Sequence, residues 1–406
     1  MTLLESIAKS AAAADAGSLS PPHTNFPIIS SSDQIFPNLQ PETLIGSQSL
    51  IKPASGWRVP DLDSGLNDLL KDLCLNLKTK LKSPKSLTKG EFISLINSFF
   101  KKSSFKLQLQ IVADPNPLDS SNLNFTLAAV EKLGVLISRE VAGLIAEGCV
   151  VFEIWNLLEI IIEKNLVGNL NSYNLVEKLA EKNQTELVCL CARKISNLRA
   201  SEIYAVLKFF LSPLKDSYDG MVKIRREWEK EAFLTIEKVK EKGLPKKALN
   251  LAREASILLM MAHDGFYSSE ICLHYVFGSE NFDGLVLSLA ISRLDGFEVM
   301  GLMRYFMKWL EKYERFPQAR PCPSARAVLG LSNCESIPTF EAVLKGLKVV
   351  LDEHFSYLVL NTEFRDELRK LESVVGSLVA EADLCCPVED IVKHLKEVRK
   401  HEGLQA

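Results

Sequence analysis

The stretch Asp295-Gly-Phe-Glu-Val-Met-Gly-Leu-Met-Arg-Tyr-Phe-Met-Lys-Trp-Leu-Glu-Lys-Tyr-Glu-Arg315 decides how the chain is read. It opens on Asp295 with Glu298 three residues later, a capping-box pattern in which each side chain accepts an N–H of the other's backbone. Leu302, Phe306, Trp309, Leu310 and Tyr313 then recur at helical spacing and form one apolar face. Arg304, Lys308, Glu311, Lys312 and Arg315 follow the same spacing on the opposite face. Such a helix is stable only where its apolar face is buried, so it requires packed neighbours.

The neighbours are helices too. Seven of the 17 prolines (21, 22, 27, 37, 41, 53 and 60) lie in the first 60 residues, and only Pro213 and Pro245 fall between Leu118 and Phe316. Proline lacks the N–H that a helix interior needs, so a proline-poor stretch of this length suits a continuous helical array. Thr88-Lys-Gly-Glu91 is a second capping box, opening Phe92–Phe100, and Ile203, Leu207, Phe210 and Leu211 repeat the apolar spacing. Helices are predicted at 66–82, 90–101, 122–133, 138–147, 149–164, 173–182, 186–195, 201–211, 221–242, 246–263, 269–277, 282–293, 297–314, 339–354, 363–383 and 388–400. Strand patterns are thin: 106–112 alternates briefly, and the apolar run 357–360 equally extends a helix.

Short connections make sequence neighbours antiparallel hairpins, and no fixed-length repeat is found. The expected fold is all-α: an irregular α-solenoid or multi-helix bundle built from antiparallel helix hairpins, preceded by a disordered leader. The regions are a Pro/Ser-rich leader at 1–60 with one short helix at Leu3–Ala14, and a helical region at 61–165. A central array at 166–316, a linker or loop at 317–338 and a helical unit at 339–406 complete them.

Of 406 residues, 47% are hydrophobic and 24% charged, and the net charge is −3. That balance argues against a nucleic-acid coat or a polybasic membrane binder. The longest apolar stretch, Cys149–Ile162, is broken by Glu153, Asn156 and Glu159 and is shorter than the ~20 residues that span a bilayer. Glu5, Lys9 and Asp15 break up the N-terminal apolar residues, so no secretory signal is expected, and the first arginine is Arg58, against a transit peptide. The nine cysteines are scattered in apolar helical settings, as in reduced core cysteines of the cytosol or nucleus. Asn124-Phe-Thr126 and Asn183-Gln-Thr185 are then chance sequons.

Catalytic signatures are missing: there is no phosphate-binding glycine loop, nucleophile elbow or zinc-protease His pair. Cys189-x-Cys191 lacks the further ligands that zinc requires. Cys385-Cys386, before Pro387, reads as a bystander pair at a helix start. His354 shares a face with Leu347 and Leu351 beside Asp352 and Glu353, an arrangement for a partly buried histidine with a local hydrogen bond. His263 and His274 read as helix-end cations that favour the C-terminal dipole. No enzyme, cofactor, metal, membrane partner or small-molecule substrate is expected.

Two basic segments remain. Lys223–Lys247 holds nine Lys/Arg among five Glu, with Trp228 and Phe233 interleaved, and Arg304–Arg326 holds six Lys/Arg against Glu311 and Glu314. Arg225, Arg226, Arg304, Lys308, Lys312 and Arg315 are the candidate contacts for RNA or a partner, because clustered cations displace counterions from a phosphate backbone. The competing reading is a solvated helix face; on the RNA reading, neutralising Lys308, Lys312 and Arg315 together weakens RNA crosslinking without lowering the melting temperature.

Three segments carry a family resemblance: Glu186-Leu-Val-Cys-Leu-Cys-Ala-Arg-Lys-Ile195 with Ser201–Leu211, Arg304–Tyr313, and Val349-Val-Leu-Asp-Glu-His-Phe-Ser-Tyr-Leu-Val-Leu360. Together they make residues 170–400 resemble the C-terminal helical region of the nucleolar protein 11 family. The resemblance implies a nucleolar scaffold of the small-subunit processome that supports pre-ribosomal RNA transcription and processing. It would work through contacts with other processome subunits, cirhin-like propeller proteins among them, and with pre-ribosomal RNA at most weakly or indirectly. His354, Trp309 and Leu207 fall on family-like positions as packing residues. The family's N-terminal β-propeller has no counterpart before residue 170. The alternatives are a cytosolic helical-repeat adaptor unrelated to ribosome assembly and, from the enzyme class, an interhelical pocket built on His354.

Overall fold

The computed structural model describes residues 61–82, 87–109, 121–167, 174–196, 198–240, 245–279 and 283–402. The expected leader, with its helix at Leu3–Ala14, lies outside them. Among the described residues there are sixteen α-helices, three 3-10 turns and no strand. The helices are α1 (Asp61–Leu81), α2 (Lys89–Leu107), α3 (Ser121–Leu133), α4 (Arg139–Val151), α5 (Trp155–Glu163), α6 (Leu175–Glu181), α7 (Thr185–Lys194) and α8 (Ala200–Leu211). They continue with α9 (Lys215–Lys240), α10 (Lys246–His263), α11 (Ser268–Phe277), α12 (Gly284–Ile291), α13 (Gly296–Arg315), α14 (Ala325–Leu329), α15 (Phe340–Leu360) and α16 (Arg365–Glu402).

Both capping boxes form. Thr88 accepts from Glu91 N at 3.3 Å while Glu91 accepts from Thr88 N at 3.0 Å. The corresponding distances for Asp295 and Glu298 are 2.9 and 3.0 Å. The opposite ends of α2, α4, α5 and α6 close in a way that the apolar period does not show. Gln108, Glu153, Asn165 and Asn183 take positive φ, and the N–H of the following residue bonds back five residues, as in Leu166 N to Ile161 O at 3.1 Å. This closure satisfies carbonyls that the ending helix leaves free. It places a break at Phe152–Ile154, so the predicted helix 149–164 is two helices, α4 and α5. The brief alternation from Lys106 is the end of α2 as far as Leu107, and 110–112 lies outside the described residues. The run 357–360 extends α15. Pro387 does not separate two helices but lies inside α16, on an exposed stretch.

The described residues from Leu66 onward form one compact unit, with a continuous core from Leu73 to Leu371. Two rows of helices build it. One runs α3–α5–α7–α9 and the other α4–α6–α8–α12–α15, each helix touching the next in its row, and α4–α5 and α6–α7 join the rows. This is the all-α fold of the expectation, an irregular α-solenoid or multi-helix bundle. The rows cross the 165/166 division without interruption. Residues 317–338, expected as a linker or loop, bury Cys322, Ala325, Leu329, Leu331, Cys334 and Ile337 instead.

Where α9, α11 and α13 meet, aromatic rings pack closely: Phe266 lies 4.9 Å from His274, and Trp309 lies 5.1 Å from both. Packing there leaves no slack. A Cβ on Gly278, at the end of α11, would stand 2.1 Å from the Ser336 carbonyl oxygen. Gly284, by contrast, has nothing within 4 Å among the described residues. Gly278→Ala should therefore cost about 2 kcal/mol through a forced backbone shift, and Gly284→Ala should be neutral or slightly stabilising. Paired thermal melts check this, and equal melting temperatures would refute the α11–Ser336 contact.

Candidate functional site

The chemistry-bearing side chains come first. His274 was read as a helix-end cation, but it is fully buried between helices and neutral. Its Nε2 lies 3.0 Å from the Ala262 carbonyl oxygen, which only accepts, so Nε2 carries the proton. Its Nδ1 then accepts from the Tyr305 hydroxyl at 2.9 Å. Burial holds its pKa down at about 3. His354 stands at the α12–α15 interface, with Nε2 2.9 Å from the Ile291 carbonyl oxygen at the end of α12. Glu353 beside it pairs with Ser288. Trp309 and Leu207 are fully buried, as packing residues are.

Burial pushes the thiols of Cys149, Cys189 and Cys191 up, and those of Cys322 and Cys334 to about 11 and 12. Cys385 is exposed within α16, not at a helix start. Among the described residues no group of three or more His, Cys, Asp and Glu could hold a metal ion.

The six candidate cations divide. Lys308 lies 2.7 Å from Glu270 Oε2 and 4.4 Å from the centre of the Tyr267 ring, so it ties α13 to the start of α11. Lys312 is 5.4 Å from the Phe266 ring and 3.9 Å from the exposed Asp264, and burial holds its pKa below the usual lysine value. Arg304 Nε donates to Glu367 at 2.9 Å, seating α16 on α13. Arg225 donates to the Phe266 carbonyl oxygen at 2.9 Å. Arg226 and Arg315 are exposed and have no hydrogen-bond or ion-pair partner among the described residues. The α13 stripe is thus largely a set of fastenings between helices.

Sequence reasoning missed a groove. Helices α5, α7 and α9 enclose a cavity of about 500 Å³ whose wall carries Glu159, Glu163, Glu186, Glu227 and Glu231, against Arg193 and Lys230. Burial, followed by the charges of Glu163 and Glu186, pushes the Glu159 carboxyl up. Burial and then Glu186 do the same to Glu227. Lys223 pairs with Glu186. Glu231 accepts from Ser332 N at 3.3 Å, Ser332 Oγ at 2.8 Å and Asn333 N at 3.0 Å. The available signal was two like-charge pairs at i, i+4, Glu159/Glu163 and Glu227/Glu231, which a helix tolerates at a cost. Bringing them together across three helices is a tertiary effect. The arrangement favours a cationic group in the groove.

No protein-family model, curated protein or solved structure matches this chain.

Two outcomes follow from the buried polar groups. Lys308→Ala should destabilise the protein by about 2 kcal/mol, less than a fully buried pair because the lysine keeps 27% of its side-chain exposure. Arg226→Ala should stay within about 0.5 kcal/mol. Urea titrations of both decide it, and an unchanged Lys308→Ala variant would show the pair to be idle. His274 gives the pH dependence. Its folded pKa of about 3 lies below the ordinary 6.5, so the unfolded chain binds the extra proton between those values. Stability should fall as pH drops through that window, with a slope of up to about 1.4 kcal/mol per pH unit from this group. His274→Gln should lose that part of the slope, and an identical pH profile would refute a neutral buried imidazole.

Proposed function

We propose that this chain is a non-catalytic helical scaffold that works through protein–protein contacts as a component of the small-subunit processome. The observation that carries the scaffold reading is the two-row helical array with a carboxylate-lined groove between α5, α7 and α9. Rows of stacked helices present concave surfaces of this kind to partner segments. Its partners would be other processome subunits, and a basic segment is what such a groove accepts.

The processome assignment rests on the resemblance of residues 170–400 to the nucleolar protein 11 family, and a nucleolar location goes with it. The segment at 349–360 supports it in one respect: it turns Phe355, Val359 and Leu360 outward, 65%, 61% and 80% exposed, as docking side chains would be. Direct contact with pre-ribosomal RNA would fall to Arg226 and Arg315, whose guanidinium groups are not occupied by neighbours among the described residues.

Native purification of the tagged full chain should recover processome subunits, and the tag should localise to the nucleolus. A partner list without such subunits favours the cytosolic adaptor and overturns this assignment. An Arg226→Ala/Arg315→Ala variant should crosslink less to pre-ribosomal RNA at an unchanged melting temperature. Unchanged crosslinking would assign any RNA contact to the partners.

A further inference from the structure

The groove between α5, α7 and α9 holds carboxylates that the fold does not use. Glu159, Glu163 and Glu227 make no hydrogen bond or ion pair among the described residues. Glu186, by contrast, pairs with Lys223, and Glu231 accepts from the backbone of Ser332 and Asn333. Glu159 and Glu227 both feel the charge of Glu186, so the acids of three helices share one field. Like charges gathered on partly buried ground destabilise a fold until a cation joins them. Of the two cations in the wall, Arg193 stands over the Tyr275 ring, 5.9 Å from its centre, which leaves Lys230.

A second feature of the same wall calls for an acceptor. Asn333 lines the groove and is only 4% exposed. Its Oδ1 accepts from the Tyr275 hydroxyl at 3.2 Å, and that hydroxyl already accepts from Trp228 Nε1 at 2.9 Å, which fixes the orientation of the amide. The Asn333 Nδ2 is thus the free end, with no acceptor among the described residues. It is not sealed in the core, so it opens on the groove. A donor so nearly buried is costly to leave unmatched.

We infer, resting on the scaffold reading, that this groove binds an extended basic segment of a partner protein, with a lysine or arginine set among Glu159, Glu163 and Glu227 and a main-chain carbonyl accepting from Asn333 Nδ2. A peptide supplies both groups at once. A polyamine carries cations but no acceptor for the amide, and a nucleic-acid phosphate would meet five carboxylates. A metal ion does not fit, since no group of His, Cys, Asp and Glu among the described residues could hold one. Trp155, Leu187 and Leu190 give the wall apolar area for the methylene stem of a lysine or arginine. At about 500 Å³ the groove takes a few residues of chain, not a folded domain.

Fluorescence anisotropy of the full chain with labelled peptides of alternating Lys-Ser and alternating Arg-Ser tests it, at about 0.15 M salt to screen loose surface attraction. At least one peptide should bind with a Kd below about 100 μM. Spermine should displace it at least tenfold less well than the unlabelled peptide does, a comparison that needs no variant. Glu159→Gln/Glu163→Gln/Glu227→Gln should weaken binding at least tenfold without lowering the melting temperature, because these carboxylates fasten nothing in the fold. Asn333→Asp keeps the acceptor for Tyr275 and turns the donor into an anion. Charge alone would then tighten binding, whereas loss of the carbonyl bond weakens it, and weaker binding is expected. Failure of both peptides to bind, or binding indifferent to the triple substitution, overturns the groove as the site. Equal displacement by spermine, or binding by Asn333→Asp that is unchanged or tighter, overturns the peptide as its ligand. The scaffold reading fails separately, if the native chain purifies without protein partners whatever the peptides do.

Discussion

A neutral histidine at the crossing of three helices constrains much of the unit. His274 donates to the Ala262 carbonyl oxygen near the end of α10 and accepts from Tyr305 on α13, so one ring on α11 spans all three. The ring is wholly buried, and an imidazolium there would lose its solvation without a carboxylate to offset it. The aromatic cluster of Phe266, Trp228 and Trp309 closes around it and keeps water out. Trp228 in turn donates to Tyr275 at 2.9 Å, and the Tyr275 hydroxyl donates to Asn333 at 3.2 Å, which draws in the segment after α14. Because hydrogen bonds are directional and buried groups must be paired, this network selects one helix arrangement more sharply than apolar packing does.

Charge follows the same logic at the edge of the core. The lysines and arginine of α13 sit beside Glu270, Asp264 and Glu367, where partial burial strengthens each attraction over what solvent would permit. Residues that look like a docking stripe in one dimension are thereby used to hold α10, α11 and α16 to α13. Open to partners among the described residues are the groove of crowded carboxylates between α5, α7 and α9 and the outward side chains of Phe355, Val359 and Leu360.

Much of the helical order was legible because its causes are local. Thr88–Glu91 and Asp295–Glu298 start helices through contacts three residues apart, and the apolar period of 302–313 names the buried face of α13. The break at Glu153 was not legible, since a glutamate in the left-handed region is held there by the closing bond from Ile154 to Cys149 rather than by its own preference. The burial of the loop 317–338 was not legible for a related reason. Its prolines exclude long helices, but Glu231 and Tyr275 bind its backbone and side chains from other helices and make it part of the core. The candidate site fared least well: the cations were visible and their partners were not, and the groove left only the faint mark of two like-charge pairs.

By itself the sequence determined which stretches are helical, which faces are apolar, and that the fold contains helices and no evident strands, because capping, proline exclusion and periodicity act within a few residues. Only the tertiary structure decided what each charge and each imidazole is for. A lysine on a helix is the same local object whether it faces solvent, RNA or Glu270. Its energetic worth depends on the dielectric and on the partner supplied by helices tens of residues away, and that is set by how the rows stack.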